Sequence, residues 1–537
     1  MAMTALTLCI MAQEITVSRD VRYREGESNS WVLDIARPQA ATQGLRPAIV
    51  IIHGGGWNAG SKNDPVYQNL MQHYAKQGYV ALSVGYRLTR EAPMPACIED
   101  VKCAVRWLKA HAADYGVDPN RIGCYGHSAG GHLSLMLGVS SGNKDLEGDG
   151  PWKEQTSAVT CACGGAPPTE IGNAGNPWSQ HPEWWPIGYE DAVTPPLLLL
   201  QGAQDPIVRP NLTEAYVNNC RKAGNKKIEF IKIAGQHGVA FDQGLDITLP
   251  AMDAFFARNL KLENADTQFT RMKVVDGCGQ GPCRAVAVEE RSLPGYVVYR
   301  PIDLKKSATE KGLLPVIAFA NGGCNDTSIT HERVLSELAS HGYIIIAIGE
   351  MQWDLQDRRI NHTPDGALLT KAIDWVLAQN ADPKSPYYQT VDTKHIGLSG
   401  QSCGGAQVLT VAKDPRVSTY IMFNTGMGTM SMAGASKQQL NDLHGSVIYI
   451  VGDKPDVAYA NAVVDYDNIK KTPVAFANLL NGGHMGTFAQ PFGGTFAQVA
   501  LKWMEWQMRG KTENAAFFTQ FTPDKMEGWV IKAKNFK

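Results

Sequence analysis

The chain has 537 residues, of which 44% are hydrophobic and 19% charged, with a formal net charge of −2 at pH 7. That balance suits soluble globular domains with sizeable cores. It supplies no basic excess for neutralising phosphates, which excludes nucleic acid and anionic membrane surfaces as expected partners. The length fits two α/β domains of roughly 250 residues each.

Residues 4–12, TALTLCIMA, form an apolar run too short to span a bilayer, and no Lys or Arg precedes Arg19. Such a run resembles the end of an export signal with its cleavage site. Residues 1–12 are therefore read as a residual signal-like segment, which predicts a secreted or periplasmic protein. A disordered start is the alternative. No other run is long and apolar enough to predict stable membrane insertion.

Beyond it, short apolar runs alternate with helical spacing, the pattern of βα units. PAIVIIHGGGW (47–57) is a strand that breaks at three glycines, and YVALSVGYR (79–87) is the next buried strand. Residues 97–116 place Val101, Val105 and Leu108 at helical intervals. RIGCYG (121–126) predicts a strand, HLSLMLG (132–138) a helix, and PPLLLLQG (195–202) and KIEFIKIAG (227–235) two late strands. The scheme then repeats, with strand-like runs at 314–323, 343–349, 395–400, 446–452 and 474–483 and a helical run at 367–380. The boundaries follow: a first domain over 13–262, a polar linker ENADTQFT at 263–270, and a second domain over 271–537. Each is expected to be a mostly parallel sheet flanked by helices.

Catalytic signals appear twice in the same order. The first series is HGGGW (53–57), GHSAG (126–130), GAQDP around Asp205 and QHG around His237. The second is NGGC (321–324), GQSCG (400–404), GDKPD (452–456) and GGHMG around His484. In G-x-S-x-G the serine sits on a tight strand-to-helix turn, where Cβ atoms on either side would clash. That turn lifts the hydroxyl clear of the sheet. Ser128 is the first expected nucleophile, with Asp205 holding His237 in the tautomer that accepts its proton. Backbone N–H groups at Gly55, Gly56 and Ala129 are the expected oxyanion donors. His53 and His132 are rival bases, but neither fits the Ser–Asp–His order. In the second series Ser402 is the nucleophile and His484 the base, with Gly323, Cys324 and Cys403 as oxyanion donors. Asp453 and Asp456 compete as the acid.

The first series resembles the hormone-sensitive-lipase-like and carbohydrate-esterase branch of the α/β-hydrolases, over about residues 30–260, through HGGGW, DPNRIGCYGHSAGGHL, GAQDPIV and QHGVAF. That branch includes acetylxylan and feruloyl esterases acting on plant polysaccharide. The second half resembles polyester- and cutinase-like hydrolases over about residues 294–510. Those enzymes place the acid four residues after a strand-ending glycine and before an apolar-Ala pair. Gly452 and Val457-Ala458 then favour Asp456. NGGC departs from HGGG, which puts the second substrate in doubt but not the chemistry.

The resemblance implies two consecutive α/β-hydrolase domains and a double-headed serine esterase, similar to bifunctional acetylxylan/feruloyl esterases. Its expected partner is acylated polysaccharide or oligosaccharide, with ferulate at the first head and acetyl or another small acyl group at the second. The rivals are a chain with one idle, polysaccharide-docking module, and a serine peptidase or lipase of the same fold. No cofactor is implied, and the Cys161–Cys163 pair lacks a partner at zinc spacing, so no metal is assigned.

Trp57, Trp184 and Trp185 are expected at the first substrate site, where aromatic faces can stack a sugar or feruloyl ring. Trp178 and Tyr189 belong to the same stretch, and Met422, Phe423, Met427 and Met430 to the corresponding stretch of the second half; core packing is the alternative. Cys278 and Cys283 bracket a loop that a disulfide can close. The fold brings Cys324 near Cys403. Buried reduced thiols are the equal alternative for each pair.

Overall fold

The computed structural model describes residues 14–40, 44–171, 175–191, 193–240, 244–262, 267, 269–355 and 365–536. The signal-like segment at 1–12 lies outside them, as do 263–266 and 268 of the linker. The chain divides into two compact units, Met1–Thr267 and Gln268–Lys537. No helix among the described residues is long and apolar enough to cross a membrane.

The first unit is built on eight strands: β1 (Ile15–Arg22), β2 (Val32–Pro38), β3 (Arg46–Ile52), β4 (Val80–Val84), β5 (Val117–His127), β6 (Cys161–Gly165), β7 (Leu197–Gly202) and β8 (Ile228–Ile233). Their order across the sheet is β1-β2-β4-β3-β5-β6-β7-β8. From β4 to β8 every pairing is parallel, while β2 runs antiparallel to β4 and β1 to β2. Helices cover both faces of a parallel sheet, so its strands read as continuous apolar runs rather than alternations. β4, β6 and β7 are buried at every position. The exposed edge strand β1 carries Arg19, Asp20 and Arg22, charges that discourage pairing with another sheet edge.

The second unit has ten strands in its main sheet: β9 (Phe269–Lys273), β10 (Ala285–Glu290), β11 (Tyr296–Pro301), β12 (Leu314–Ala320), β13 (Ile344–Ile348), β14 (Val391–Gln401), β15 (Val417–Phe423), β16 (Ser446–Val451), β17 (Val474–Leu479) and β18 (Trp529–Lys534). The order is β18-β17-β16-β15-β14-β12-β13-β11-β10-β9. The centre from β17 to β13 is parallel, and antiparallel strands extend both edges. On one face the helix Gly494–Gln507 buries Trp503, whose indole N–H donates to Thr419 Oγ1 at 2.9 Å.

Both sheets aim the carboxyl ends of their central strands at the residues singled out from sequence, the usual place for a site in an open α/β sheet. In the first unit β3 runs into HGGGW, β5 into Ser128, β7 toward Asp205 and β8 toward His237. In the second, β12 runs into Asn321–Cys324, β14 into Ser402, β16 toward Asp456 and β17 toward His484.

Candidate active sites

Each serine sits at a sharp turn between strand and helix. Ser128 has φ 56° and ψ −122°, and Ser402 has φ 53° and ψ −118°. Non-glycine residues rarely hold positive φ, and the strain of order 1–3 kcal/mol must be held by the surroundings. Packing forces the flanking glycines. A Cβ on Gly126 would lie 2.2 Å from Gly130 O, and one on Gly130 would lie 2.1 Å from Ile52 O. Gly400 and Gly404 meet the same obstacles, at 2.4 Å from the Gly404 backbone and 2.1 Å from Ala320 O. The serine N–H groups bond to the neighbouring strand, Ser128 N–H to Gly165 O at 2.8 Å and Ser402 N–H to Phe423 O at 3.0 Å.

The second unit holds an unbroken relay. His484 Nε2 lies 3.0 Å from Ser402 Oγ, and His484 Nδ1 lies 2.6 Å from Asp456 Oδ1. With Nδ1–H donating to the carboxylate, Nε2 is left to accept the serine proton. Asp456 also accepts from Ala458 N–H at 2.9 Å, Asn424 Nδ2 at 2.7 Å and Gly452 N–H at 3.1 Å. Burial pushes this carboxyl up, but the bonds from His484, Ala458, Asn424 and Gly452 outweigh it and hold Asp456 below the ordinary carboxylate range. Asp453 points elsewhere, bonding Asn478 Nδ2 at 3.1 Å. The structure thus brings Asp456, not Asp453, to His484.

In the first unit His237 Nδ1 lies 2.8 Å from Asp205 Oδ2. Asp205 is further held by Gln201 Nε2 at 3.0 Å and by the N–H groups of Ile207 and Val208 at 2.9 and 3.0 Å. Among the described residues no hydrogen bond joins Ser128 Oγ to His237, although His127, next to the serine, packs its ring 4.8 Å from that of His237. The two rival histidines are engaged elsewhere. His53 Nδ1–H donates to Gly54 O at 2.8 Å, and its ring stacks on Tyr86. His132 accepts from Trp57 Nε1 at 3.1 Å and donates from Nε2 to Trp184 O at 2.7 Å, and burial pushes its pKa down to about 4. His132 thus has both nitrogens committed, and His53 is held at Nδ1, with no hydrogen bond joining it to Ser128 among the described residues.

The glycine loop of the first unit folds beside the elbow. A Cβ on Gly54 would lie 3.4 Å from Ser128 Cβ. Gly54 N–H is taken by Tyr67 Oη at 2.7 Å. Gly55 and Gly56 adopt φ 113° and 59°, and a Cβ on Gly55 would strike Ala59 O at 2.2 Å. In the second unit Asn321 fixes the loop by donating to Asn325 O and Ile348 O at 2.9 and 2.7 Å. Gly323 and Cys324 also take positive φ, 65° and 51°. Cys324 and Cys403 are joined by a disulfide across a Cα separation of 5.2 Å, which ties this loop to the residue after the nucleophile. Cys278 and Cys283 are buried and are not joined in a disulfide.

One expectation about aromatic side chains needs correction, and most of the methionine stretch follows its core-packing alternative. Trp185 is only 1% exposed and its indole packs edge-on against Trp57, so it braces the first site from beneath and presents no face to a ligand. Trp57 is itself 8% exposed, held by Trp185, Trp178 and His132. Trp184 is partly exposed, stacked on His181 at 3.8 Å. Met422 and Phe423 lie inside β15 and Met427 is buried, which leaves Met430 as the exposed member of its group.

Sequence reasoning missed four supporting groups: Gln201 on Asp205, Asn424 on Asp456, and His127 and Gln401 beside the nucleophiles. The signal available for Gln201 and Asn424 was a polar residue closing an apolar strand run, as in LLLLQG and STYIMFN.

A family model described as BD-FAE matches residues 33–181, and one described as PET hydrolase-like matches residues 302–532. The fold is that of the α/β-hydrolases. Among curated proteins the chain is similar to Esterase LipQ of Mycobacterium tuberculosis, 29% identical over 244 residues, which are 42% of this chain and 57% of LipQ. It is also similar to Carboxylesterase NlhH of the same organism, 42% identical over 93 residues, 17% of this chain and 28% of NlhH. The chain thus spans little more than half of LipQ and less of NlhH. A solved structure described as a truncated form of carbohydrate esterase from gut microbiota is 28% identical with a TM-score of 0.41, covering 47% of this chain and 98% of its own. These likenesses are to α/β-hydrolase esterases.

Proposed function

We propose that the chain is a double-headed serine carboxylic-ester hydrolase that removes acyl groups from plant polysaccharide such as xylan, feruloyl groups at the first site and acetyl or another small acyl group at the second. The observation that carries the hydrolase reading is the Ser402–His484–Asp456 relay, with its counterpart of elbow serine and His237–Asp205 pair in the first unit. In each unit serine attacks the ester carbonyl while histidine takes its proton. Backbone N–H groups of Gly55, Gly56 and Ala129, or of Gly323, Cys324 and Cys403, stabilise the oxyanion, and water releases the acyl-enzyme. Support for an ester comes from relatives named esterase and carboxylesterase and from the PET hydrolase-like match. Support for acylated polysaccharide comes from the family resemblance of the sequence motifs and from Trp184, a partly exposed indole beside the first site.

Product analysis on native arabinoxylan tests this. Ser128→Ala is expected to abolish ferulate release and spare acetate, and Ser402→Ala the reverse. Loss of every product from one substitution rejects two working heads. Activity on peptides alone rejects the esterase. The unjoined Ser128 and His237 favour one further reading, a chain working through Ser402 only. Hydrogen bonds of this kind often close only when substrate binds, and the first head is proposed on that ground.

A further inference from the structure

The residue before each nucleophile carries an inference that rests on reading Ser128 and Ser402 as nucleophiles. His127 Nε2 lies 2.8 Å from His237 O, and Gln401 Nε2 lies 3.1 Å from His484 O. A carbonyl oxygen only accepts, so the imidazole and the amide are the donors. The two side chains differ in size, shape and chemistry, and the two elbows share little beyond glycines and serine. Each nevertheless delivers an N–H to the main-chain carbonyl of the histidine in its own site.

Both donors are buried, so water is not a ready replacement partner. Burial pushes the His127 pKa down to about 4, which keeps the ring neutral at ordinary pH with its bonding proton on Nε2. The Gln401 amide is turned the right way by His331, whose Nε2 lies 3.4 Å from Gln401 Oε1. The glycine loop leaves space for that amide: a Cβ on Gly322 would lie 1.8 Å from Gln401 Oε1.

Each histidine follows a strand end and lies in a connecting segment rather than in the sheet. Its ring is anchored at Nδ1 by a carboxylate, but that contact alone lets the ring swing as its backbone shifts. A second anchor on its carbonyl fixes the other end. We propose that His127 and Gln401 are positioning residues that hold the main-chain carbonyl of the catalytic histidine, registering base to nucleophile through the residue covalently attached to the serine.

Steady-state kinetics on a short-chain p-nitrophenyl ester test the proposal, one head at a time. In a Ser402→Ala chain, His127→Leu removes the donor and His127→Gln supplies the one used by the second unit. In a Ser128→Ala chain, Gln401→Met removes the donor at similar volume and Gln401→His supplies the one used by the first. His127→Leu and Gln401→Met are expected to lower kcat by about tenfold to a hundredfold with KM little changed, the effect of a slightly misplaced base. His127→Gln and Gln401→His recover most of that loss. Full kcat in His127→Leu and Gln401→Met overturns the proposal. So does equal loss in all four variants while their melting temperatures match the parent, because packing alone then accounts for it. Gln401→Met, the more conservative change, decides the matter should His127→Leu fail to fold. Turnover remaining in the Ser128→Ala/Ser402→Ala chain instead overturns the hydrolase reading, whatever these residues do.

Discussion

In a chain silenced at its first head by Ser128→Ala, Asp456→Asn is expected to lower second-site kcat by about 10⁴-fold, the scale of a triad acid converted to its amide. Asp453→Asn is expected to leave it essentially unchanged. The argument lies in the donors around Asp456. Oδ2 receives two of them, from Asn424 and Gly452, while Oδ1 receives His484 and the Ala458 N–H. An asparagine has one acceptor oxygen for these four donors. If it keeps its oxygen on the Asn424 side, its NH2 faces His484 and forces the proton onto Nε2, where it cannot receive one from Ser402. The reverse orientation leaves an NH2 against two buried donors. Asp453 instead bonds Asn478 near the end of β17 and the Asn481 N–H just beyond it. An equal loss from Asp453→Asn would mean that the acid has been misassigned.

The same carboxylate sets a pH dependence of stability. Its folded pKa is depressed, because the four donors overcome the burial that raises it. A depressed carboxyl contributes stability that is complete above the unfolded pKa and is lost as pH falls through the folded value. The difference in unfolding free energy between the parent and Asp456→Asn is therefore expected to be flat above about pH 4 and to shrink below it. Urea titrations at stepped pH measure this. A difference that grows on acidification contradicts the sign.

Much of this architecture was legible because some residues have no physical substitute. Gly126, Gly130, Gly400 and Gly404 are dictated by backbone approaching to little more than 2 Å of where a Cβ would stand. The central strands were readable as unbroken apolar runs because helices cover both faces. β6 was not, since CACGG combines small residues with two glycines and has weak strand preference. β15 went unread as well, so nothing in the sequence separated Met422 and Phe423, which belong to the sheet, from the loop residues after them. Trp185 shows a related ambiguity: an aromatic cluster near a site has the same composition whether it meets ligand or supports what does. Asp453 and Asp456 differ by one turn of loop, which spacing ranks and only geometry separates. His127 and Gln401 occupy the variable position of their motif, where no pattern prescribes a donor.

Reduction of the Cys324–Cys403 bridge is expected to lower second-site kcat by about 10²- to 10³-fold, the cost of losing one oxyanion donor, and to leave the first head unaffected. Counting from the strand ends, Cys324 occupies in NGGC the place of Gly56 in HGGGW, and their φ values are 51° and 59°. Cys403 follows Ser402 as Ala129 follows Ser128. The bridge therefore joins the two positions proposed to supply oxyanion donors from opposite sides of the carbonyl. A glycine rests at positive φ without penalty, but a cysteine does so only under restraint. Cutting the S–S bond with a dithiol, which becomes the disulfide as both cysteines become thiols, releases Cys324 to relax and carry its N–H away. The bonds from Asn321 tie together the ends of the loop, Asn321 and Asn325, and make no direct hold on Cys324 between them. Cys403→Ala, which leaves the residue found in the first unit, should reproduce the loss without reductant, and dithiothreitol should then add nothing. Titrating Ser128→Ala and Ser402→Ala chains with dithiothreitol reads the two heads separately. The cysteines Cys97, Cys103, Cys124, Cys161, Cys163 and Cys220 of the first unit are already free, so its head serves as the internal control. Full second-site turnover in the reduced chain would mean that Gly323 and Cys324 hold their conformation unaided, and the bridge would then have no part in the chemistry.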